Sequence, residues 1–392
     1  MYESLKQRFA EAFGRQAACI FSAPGRTELV GNHTDHQLRR VLAGAVSLDT
    51  TAAVALNGSD TVQVLSEGYP LCRIDLDELS IRPEEAGSTA ALIRGILAGI
   101  RDRGGTVPGF DAYVTSRVLP GSGLSSSAAF EVLIGTIVNQ LSGCGLTPLQ
   151  IAQLGQYAEN VYFGKPCGLM DQAASAIGGI ITIDFADKDA PRVEHLDFDL
   201  ASCGHALCII DSGADHADLT DEYAAIPAEL RAVSRVFGQE QLRQVDEAEF
   251  YRRLPEVRAA AGDRAALRAI HIFEDNRRVL QQVQALKCGD FDRFLQLVTA
   301  SGRSSWMYLQ NVIPAGYTVH QDLAVALALA EKLLGGRGAF RVQGGGFAGT
   351  IHAFVPLDML EAFRAGIEAV FGGGSCHILN IRPKGGILVE EV

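Results

Sequence analysis

Apolar residues recur in this chain at two spacings, helical and alternating, and the sequence switches repeatedly between them. Leu5, Phe9 and Phe13 share one face of an amphipathic helix at the start. Residues 52–56 and 61–65 read as two strands joined by the turn residues Asn57-Gly-Ser-Asp60. Residues 92–100 predict a helix and 112–116 a strand, after which Ala128, Val132, Leu133, Ile137 and Leu141 return to helical spacing. Pro148 opens another helix, running through Ala158 and Glu159. A new unit begins near residue 200: residues 205–211 form an apolar strand, and 230–309 are mostly helical, with Leu280, Val283 and Leu286 in one stripe. Residues 339–342 and 350–355 are strand-like around a glycine cluster, and 378–381 with 386–389 close the pattern.

This alternation predicts a mixed α/β protein of two domains, divided near residue 200. Composition narrows the class: 392 residues, 47% hydrophobic and 20% charged, describe a globular chain of enzyme size. The net charge of -12 argues against nucleic acid and acidic membranes as partners, because phosphate contacts need a basic surface, and leaves small molecules. The eight cysteines contain no Cys-x-x-Cys pair, so they read as free thiols in a reducing compartment. The apolar stretches 41–56 and 323–334 are broken by Asp49 and by Glu331 with Lys332, too early to span a bilayer. The start does not read as a signal sequence, and a cytoplasmic location is expected. Oligomeric state is not legible in the pattern, and a monomer is compatible with it.

Three segments carry chemistry. Leu119-Pro-Gly-Ser-Gly-Leu-Ser-Ser-Ser-Ala-Ala129 follows a strand and opens a helix, the context of an anion site. Gly121 and Gly123 let backbone approach an anion, while Ser122, Leu124, Ser125, Ser126 and Ser127 offer amides or hydroxyls at the positive helix end. The alternative is a Gly-Ser loop that merely caps the helix. In Ala23-Pro-Gly-Arg-Thr-Glu-Leu-Val-Gly-Asn-His-Thr-Asp35, a turn-forming Pro-Gly presents Arg26 ahead of the polar tetrad Asn32, His33, Thr34 and Asp35. Such donors and acceptors suit sugar hydroxyls, although taken alone the stretch reads first as a polar loop whose side chains satisfy one another. Asp171, on a glycine-flanked loop, and Glu159, on a helix, are two acids that can divide proton transfer and Mg²⁺ binding. Arbitrary acids are more often solvated charges.

Gly344, Gly346 and Gly349 spell a dinucleotide fingerprint, but residues 350–355 continue as strand where that motif requires a helix. A glycine turn pressed against an active site fits better. The P-loop sequence Gly-x-x-x-x-Gly-Lys-Ser/Thr is absent, as are the protein-kinase motifs.

In order and spacing, Pro24-Gly-Arg26 with Gly31-Asn-His-Thr-Asp35, the Leu119–Ala129 segment, and Gly344-Gly-Gly-Phe-Ala-Gly349 resemble the three motifs of the GHMP small-molecule kinases. His-Thr-Asp together with Cys167-Gly-Leu-Met-Asp-Gln172 is similar to galactokinases in particular. The resemblance implies a two-domain fold: a mixed α/β domain over 1–200, a ferredoxin-like α+β domain over 201–381, and a final strand within 382–392 packing back on the first. It implies ATP as phosphoryl donor, a small sugar as acceptor and Mg²⁺ held by Ser127 and Glu159. Asp171 would be the base toward the anomeric C1 hydroxyl, with Arg26 stabilising it and the developing phosphoryl charge. His33, Asp35, Gly168 and Tyr223 would contact the sugar, and Ser66 the nucleotide. Two positions depart. Galactokinases usually carry Glu before His-Thr-Asp, accepting the galactose 6-hydroxyl, and Asn two residues after the arginine; here these are Asn32 and Glu28. Asn32 would still bond a hydroxyl, and loss of the charge there makes a C6-altered acceptor such as galacturonate conceivable. A silent galactose and ATP sensor is the alternative from another class.

Overall fold

The structure, a computed structural model, describes residues 2–118, 123–165, 167–187, 190–214 and 219–391. Its first half contributes β1 (Cys19–Val30), β2 (Arg40–Leu56), β3 (Thr61–Ser66), β4 (Cys72–Asp75), β5 (Phe110–Ser116), β6 (Ile180–Asp184) and β7 (Arg192–Leu196). The second half contributes β8 (His205–Asp211), β9 (Ala339–Val342), β10 (Thr350–Pro356) and β11 (Cys376–Leu379), and β12 (Ile387–Glu391) closes the chain. Eight strands form one sheet in the order β12-β1-β2-β5-β3-β4, with β6 on β2 and β7 on β6. At 17 residues, β2 is long enough to pair with β6 along 40–44 and with β5 along 50–56. The 52–56 and 61–65 segments are both strands, yet they do not pair, because β5 lies between β2 and β3. Asn57 explains the detour: its Nδ2 donates to Thr61 O at 3.0 Å and to Asp111 Oδ1 at 2.9 Å, tying the turn to β5.

Helices Thr89–Asp102, Ser126–Ser142, Pro148–Tyr157 and Met170–Ile177 bury their apolar faces on one side of this sheet, around Phe21, Val54, Ile96, Phe110, Leu133 and Ile137. The N-terminal helix Glu3–Phe13 sets Leu5 and Phe9 against Ile20 and Tyr113 and ends at Gly14 in the left-handed conformation.

The second sheet is antiparallel, in the order β11-β8-β10-β9. Helices Asp322–Leu334 and Leu360–Phe371 pack with it around Ile210, Val342 and Ile351. Helices Asp263–Lys287 and Phe291–Ser304 contribute Val279 and Phe294 to a cluster that also contains Leu29, Leu42 and Leu124 from the first half and Ile209 and Phe354 from the second. One apolar cluster thus fastens β1 and the residue 124 loop to the second sheet, which fixes the floor of the cleft between the halves. The passage between sheets runs through the 3-10 turn Ala201–Cys203. β12 returns to the first sheet, where Cys19 pairs with Glu391 and Ser22 with Ile387. All eight cysteines are free, and among the described residues no helix is long and apolar enough to cross a membrane.

Candidate active site

Pro24, Gly25 and Arg26 form no turn. They lie within β1, at a shift in its register with β2 between Pro24 and Arg26. A bulge explains how a proline sits inside a strand, since the ladder is already broken there. Gly25 is required by close approach: a Cβ would stand 2.8 Å from Leu124 O and 3.0 Å from Val118 Cγ1. The Arg26 amide donates to Leu124 O at 3.0 Å, and its guanidinium Nη1 donates to Gly123 O. Buried Leu124 therefore acts through its carbonyl, and strand and phosphate loop are joined at two points. Gly121 and Ser122 lie outside the described residues.

Arg26 meets Asp171 edge on, Nε to Oδ1 at 2.6 Å and Nη2 to Oδ2 at 2.7 Å. Asp171 stands in the first turn of Met170–Ile177, and Ser125 Oγ also donates to its Oδ2. Burial pushes the Asp171 carboxyl up, but the charge and fork of Arg26, helped by Ser125, outweigh it and hold the group below the ordinary aspartate range. The Ser125 hydroxyl is thus not free for phosphate; Asp171 takes it, and the amide remains. Ser125 also has a left-handed backbone, with φ 55°, and provides no side-chain cap to Ser126–Ser142. Among the described residues no side chain caps the positive end of that helix. Ser126 and Ser127 line a cavity of about 420 Å³ together with Ser66, Thr89, Leu92 and Phe130. This brings Ser66 to the same wall as the serine run. A larger cavity, about 870 Å³, lies in the second half around Arg278, Arg303 and His205 and contains none of the predicted site residues.

Glu159 falls in a π-helical stretch, Ala158–Phe163, that continues Pro148–Tyr157. Its Oε2 accepts from Gln172 Nε2 at 2.9 Å, and Lys165 Nζ stands 3.6 Å from Oε1. Among the described residues, the Ser127 hydroxyl makes no hydrogen bond, and no three His, Cys, Asp or Glu side chains gather as a metal cage. One carboxylate and one free hydroxyl are the hard oxygen donors suited to Mg²⁺, which is completed by water and substrate phosphates.

The sugar end requires two corrections. Asn32 has no exposed surface, and its amide is saturated: Nδ2 donates to Glu28 Oε1 at 3.1 Å and to Gly344 O, while Oδ1 accepts from Asn311 Nδ2 at 2.7 Å and from Ser305 Oγ at 3.4 Å. Nothing is left for a sugar hydroxyl. Thr34 is equally buried, its hydroxyl 2.7 Å from Gly31 O and 2.6 Å from Arg40 O, and it closes the turn around Gly31.

The neighbours of these two residues do face the cleft. Burial, then the nearby His36, pushes the half-buried His33 imidazole down to about 4. A neutral ring 3.0 Å from Gly345 O must carry its proton on Nε2, which leaves Nδ1 as an acceptor. Asp35 keeps one oxygen on the His36 amide at 2.9 Å and turns Oδ2 toward Gly168, where a Cβ would be 2.4 Å away. Gly168 thus gives Asp35 room. The Tyr223 hydroxyl donates to Gly346 O at 2.6 Å, and its ring packs on Phe347, so it braces the glycine turn. Glu28 is paired with buried Arg341 at 2.8 Å; burial pushes its carboxyl up against the charge of Arg341.

Three neighbours of the site carry no signal of their own in the sequence, Lys165, Asn311 and Glu131, whereas the Gln172 amide belongs to the Cys167–Gln172 motif. The available signal was spacing. Gln172 follows Asp171, and Glu131 lies four positions after Ser127, on the same face of the helix.

Residues 91–179 match the family described as GHMP kinases N terminal domain, and residues 7–56 match the galactokinase galactose-binding signature. A galactokinase of Actinobacillus pleuropneumoniae is 33% identical over 371 residues, covering 91% of this chain and 90% of that protein. The chain belongs to the galactokinase family. A second galactokinase, from Streptomyces coelicolor, is 31% identical over 93% of this chain and 92% of its own length. Among solved structures, Lactococcus lactis galactokinase complexed with galactose superposes with a TM-score of 0.83 at 25% identity, covering 98% of both chains. A mevalonate kinase shares the fold at a TM-score of 0.66 and 15% identity, over 93% of this chain and 99% of its own. The galactokinase family motifs of this chain therefore lie on the family fold, and the chain is a sugar kinase.

Proposed function

We propose that this protein transfers the γ-phosphoryl group of ATP to the anomeric C1 hydroxyl of galactose, giving galactose 1-phosphate and ADP. The observation that carries the reading is the joining of Asp171, Arg26 and Ser125 directly beside an uncapped helix start. Asp171 accepts the C1 hydroxyl proton as the oxygen attacks phosphorus. Arg26 keeps Asp171 ionised and fixes its plane. Among the described residues three of the five guanidinium N–H groups are used, on Asp171 and Gly123, which leaves two to meet charge on the transferring phosphoryl oxygens. The amides of the Ser126–Ser142 helix start hold phosphate, and the cavity beside Ser66 takes the nucleoside. Ser127 and Glu159 would hold Mg²⁺, which when bound neutralises charge on the β- and γ-phosphates. His33 Nδ1 and Asp35 Oδ2 orient the sugar through its hydroxyls. Positioning and charge stabilisation dominate phosphoryl transfer, and these groups supply both.

A second reading, C1 phosphorylation of a C6-altered hexose such as galacturonate, is favoured by one observation. Position 32 presents no carboxylate to the cleft, and the Glu28 carboxylate is engaged by Arg341. An ADP-release screen with Mg-ATP over galactose, galacturonate, N-acetylgalactosamine, glucose and arabinose tests both. Galactose giving the highest kcat/KM supports the first; galacturonate doing so replaces it with the second. No ADP with any sugar would reinstate the silent-sensor alternative.

A further inference from the structure

Glu131 has no exposed surface and lies in the interior of Ser126–Ser142, yet among the described residues no cationic side chain pairs with it. Val132 and Leu133, which follow it on the helix, belong to the apolar core, while its own side chain faces Gln172. A leucine would fill such a position at lower free energy, because a buried carboxylate is costly to desolvate. Stability therefore gives no reason for the residue, and its contacts do. Glu131 Oε2 accepts from Gln172 Nε2 at 2.9 Å, and the same nitrogen donates to Glu159 Oε2, also at 2.9 Å. One amide nitrogen thus faces two buried carboxyl groups, with Cys167 Sγ a more distant neighbour at 3.7 Å.

We propose that Glu131, acting through Gln172, is a positioning residue that aims the Glu159 carboxylate toward the cation bound with ATP. An amide can turn over, exchanging its nitrogen for its oxygen, and oxygen presented to Glu159 would repel it. Glu131 selects the nitrogen-inward state, because two acceptors on one side leave no favourable place there for Gln172 Oε1. Gly155, on the neighbouring helix Pro148–Tyr157, leaves the notch this pair occupies: a Cβ there would stand 3.1 Å from Glu131 Oε2 and 3.3 Å from Gln172 Cγ. Glu131 also stands one helical turn beyond Ser127, so both proposed oxygen donors are referred to the same helix face. The proposal rests on the Mg²⁺ role given above to Ser127 and Glu159.

The test compares Glu131→Leu, Glu131→Gln and Gln172→Leu with the parent. It measures Mn²⁺ binding by electron paramagnetic resonance with a non-hydrolysable ATP analogue, the Mg²⁺ concentration for half-maximal rate, and the sugar KM at saturating Mg²⁺. Loss of a side chain that orients a metal ligand typically weakens the ion by about 10- to 100-fold. Glu131→Leu and Gln172→Leu should show that loss with an unchanged sugar KM, whereas Glu131→Gln, which keeps an acceptor, should stay within about threefold of the parent. Folding is checked by thermal melting; should Glu131→Leu not fold, Gln172→Leu and Glu131→Gln still decide. Parent-like Mn²⁺ affinity in the leucine variants, or equal loss in folded Glu131→Gln, overturns the positioning role. A parent that binds no Mn²⁺ with the analogue instead overturns the Mg²⁺ assignment beneath it.

Discussion

Replacing Asp171 by Asn separates the proposed base from the architecture that holds it. The substitution keeps size and one acceptor, so Arg26 Nε retains its partner. At the other oxygen, which now accepts from both Arg26 Nη2 and Ser125 Oγ, an NH₂ group would face the arginine donor. The side chain of Arg26 is only 8% exposed, so its charge loses a carboxylate with little water to replace it; that of Asp171, at 31%, retains some solvent. Breaking such a pair costs on the order of 2–3 kcal/mol, the low end for a buried pair because of this exposure. The fold should survive with a lower Tm. Turnover should fall much further: loss of a general base costs about 10²- to 10⁴-fold, roughly 3–5 kcal/mol of barrier. The assay is ADP release at saturating sugar and Mg²⁺, beside calorimetric binding of an ATP analogue, which should stay within a few-fold. Turnover within tenfold of the parent, with the variant folded, would remove Asp171 from the base role.

The same pair fixes a pH dependence. Because the Asp171 carboxyl is depressed in the folded protein, its contribution to stability is present above the unfolded aspartate pKa, about 3.9, and is lost as pH falls through the lower folded value. The Tm gap between parent and Asp171→Asn should therefore be wide and flat near neutrality and close below about pH 4. A gap that closes between pH 6 and 8 would contradict the ion pair as its cause.

Three further outcomes test the remaining geometry. Gly168→Ala places a Cβ 2.4 Å from the present Asp35 Oδ2 position, so Asp35 must turn away; sugar KM should rise by about tenfold or more with ATP KM little changed, and an unaltered sugar KM would remove Asp35 from the sugar contacts. Ser66→Phe should fill part of the 420 Å³ cavity and raise ATP KM instead, measured against an unchanged sugar KM. Asn32→Glu should lower Tm, since it sets a second carboxylate against Glu28 and the Gly344 carbonyl, and Glu28→Asn combined with it should restore much of the loss. Additive Tm changes in that double-mutant cycle would show that the two positions do not communicate.

Apolar runs sufficed where a strand is buried along nearly its whole length. β8, β9 and β10 appear in the sequence as they stand in the fold, because apolar runs there end at turn residues. Such runs failed where pairing is non-local: nothing within residues 52–65 reveals that β5, some fifty positions later, will part β2 from β3. Pro24-Gly25 reads as a turn because both residues favour turns, whereas the bulge that admits them depends on β2 and the phosphate loop together. The same limit applies to side chains. Asn32 and Thr34 are polar in a motif rich in polar residues; Asn311, Asp275 and Gly344 arriving from the second half hold Asn32 inward, while Thr34 turns in to close its own turn on Gly31 and Arg40. Glu131 carries no signal of its own along the chain and gains its partner only when the fold brings Gln172 beside it.

The exchange at positions 28 and 32 takes on a different meaning once both side chains are placed. Read in sequence, a carboxylate has been lost from the sugar site. In the structure, Asn32 Nδ2 lies 3.1 Å from Glu28 Oε1, so the charge has been moved across one hydrogen bond onto buried Arg341. The local charge balance is conserved while no carboxylate is presented from position 32. On the proposed function, discrimination among sugars falls to the groups that keep unused valence at the cleft, His33 Nδ1 and Asp35 Oδ2, which would recognise hydroxyls by hydrogen bonding rather than by a charge opposite C6. Asn32→Glu alone cannot probe the sugar, because it disturbs the packing beneath the site first. The paired exchange, which keeps one carboxylate and one amide in contact, changes where the charge faces without changing how much of it Arg341 must balance.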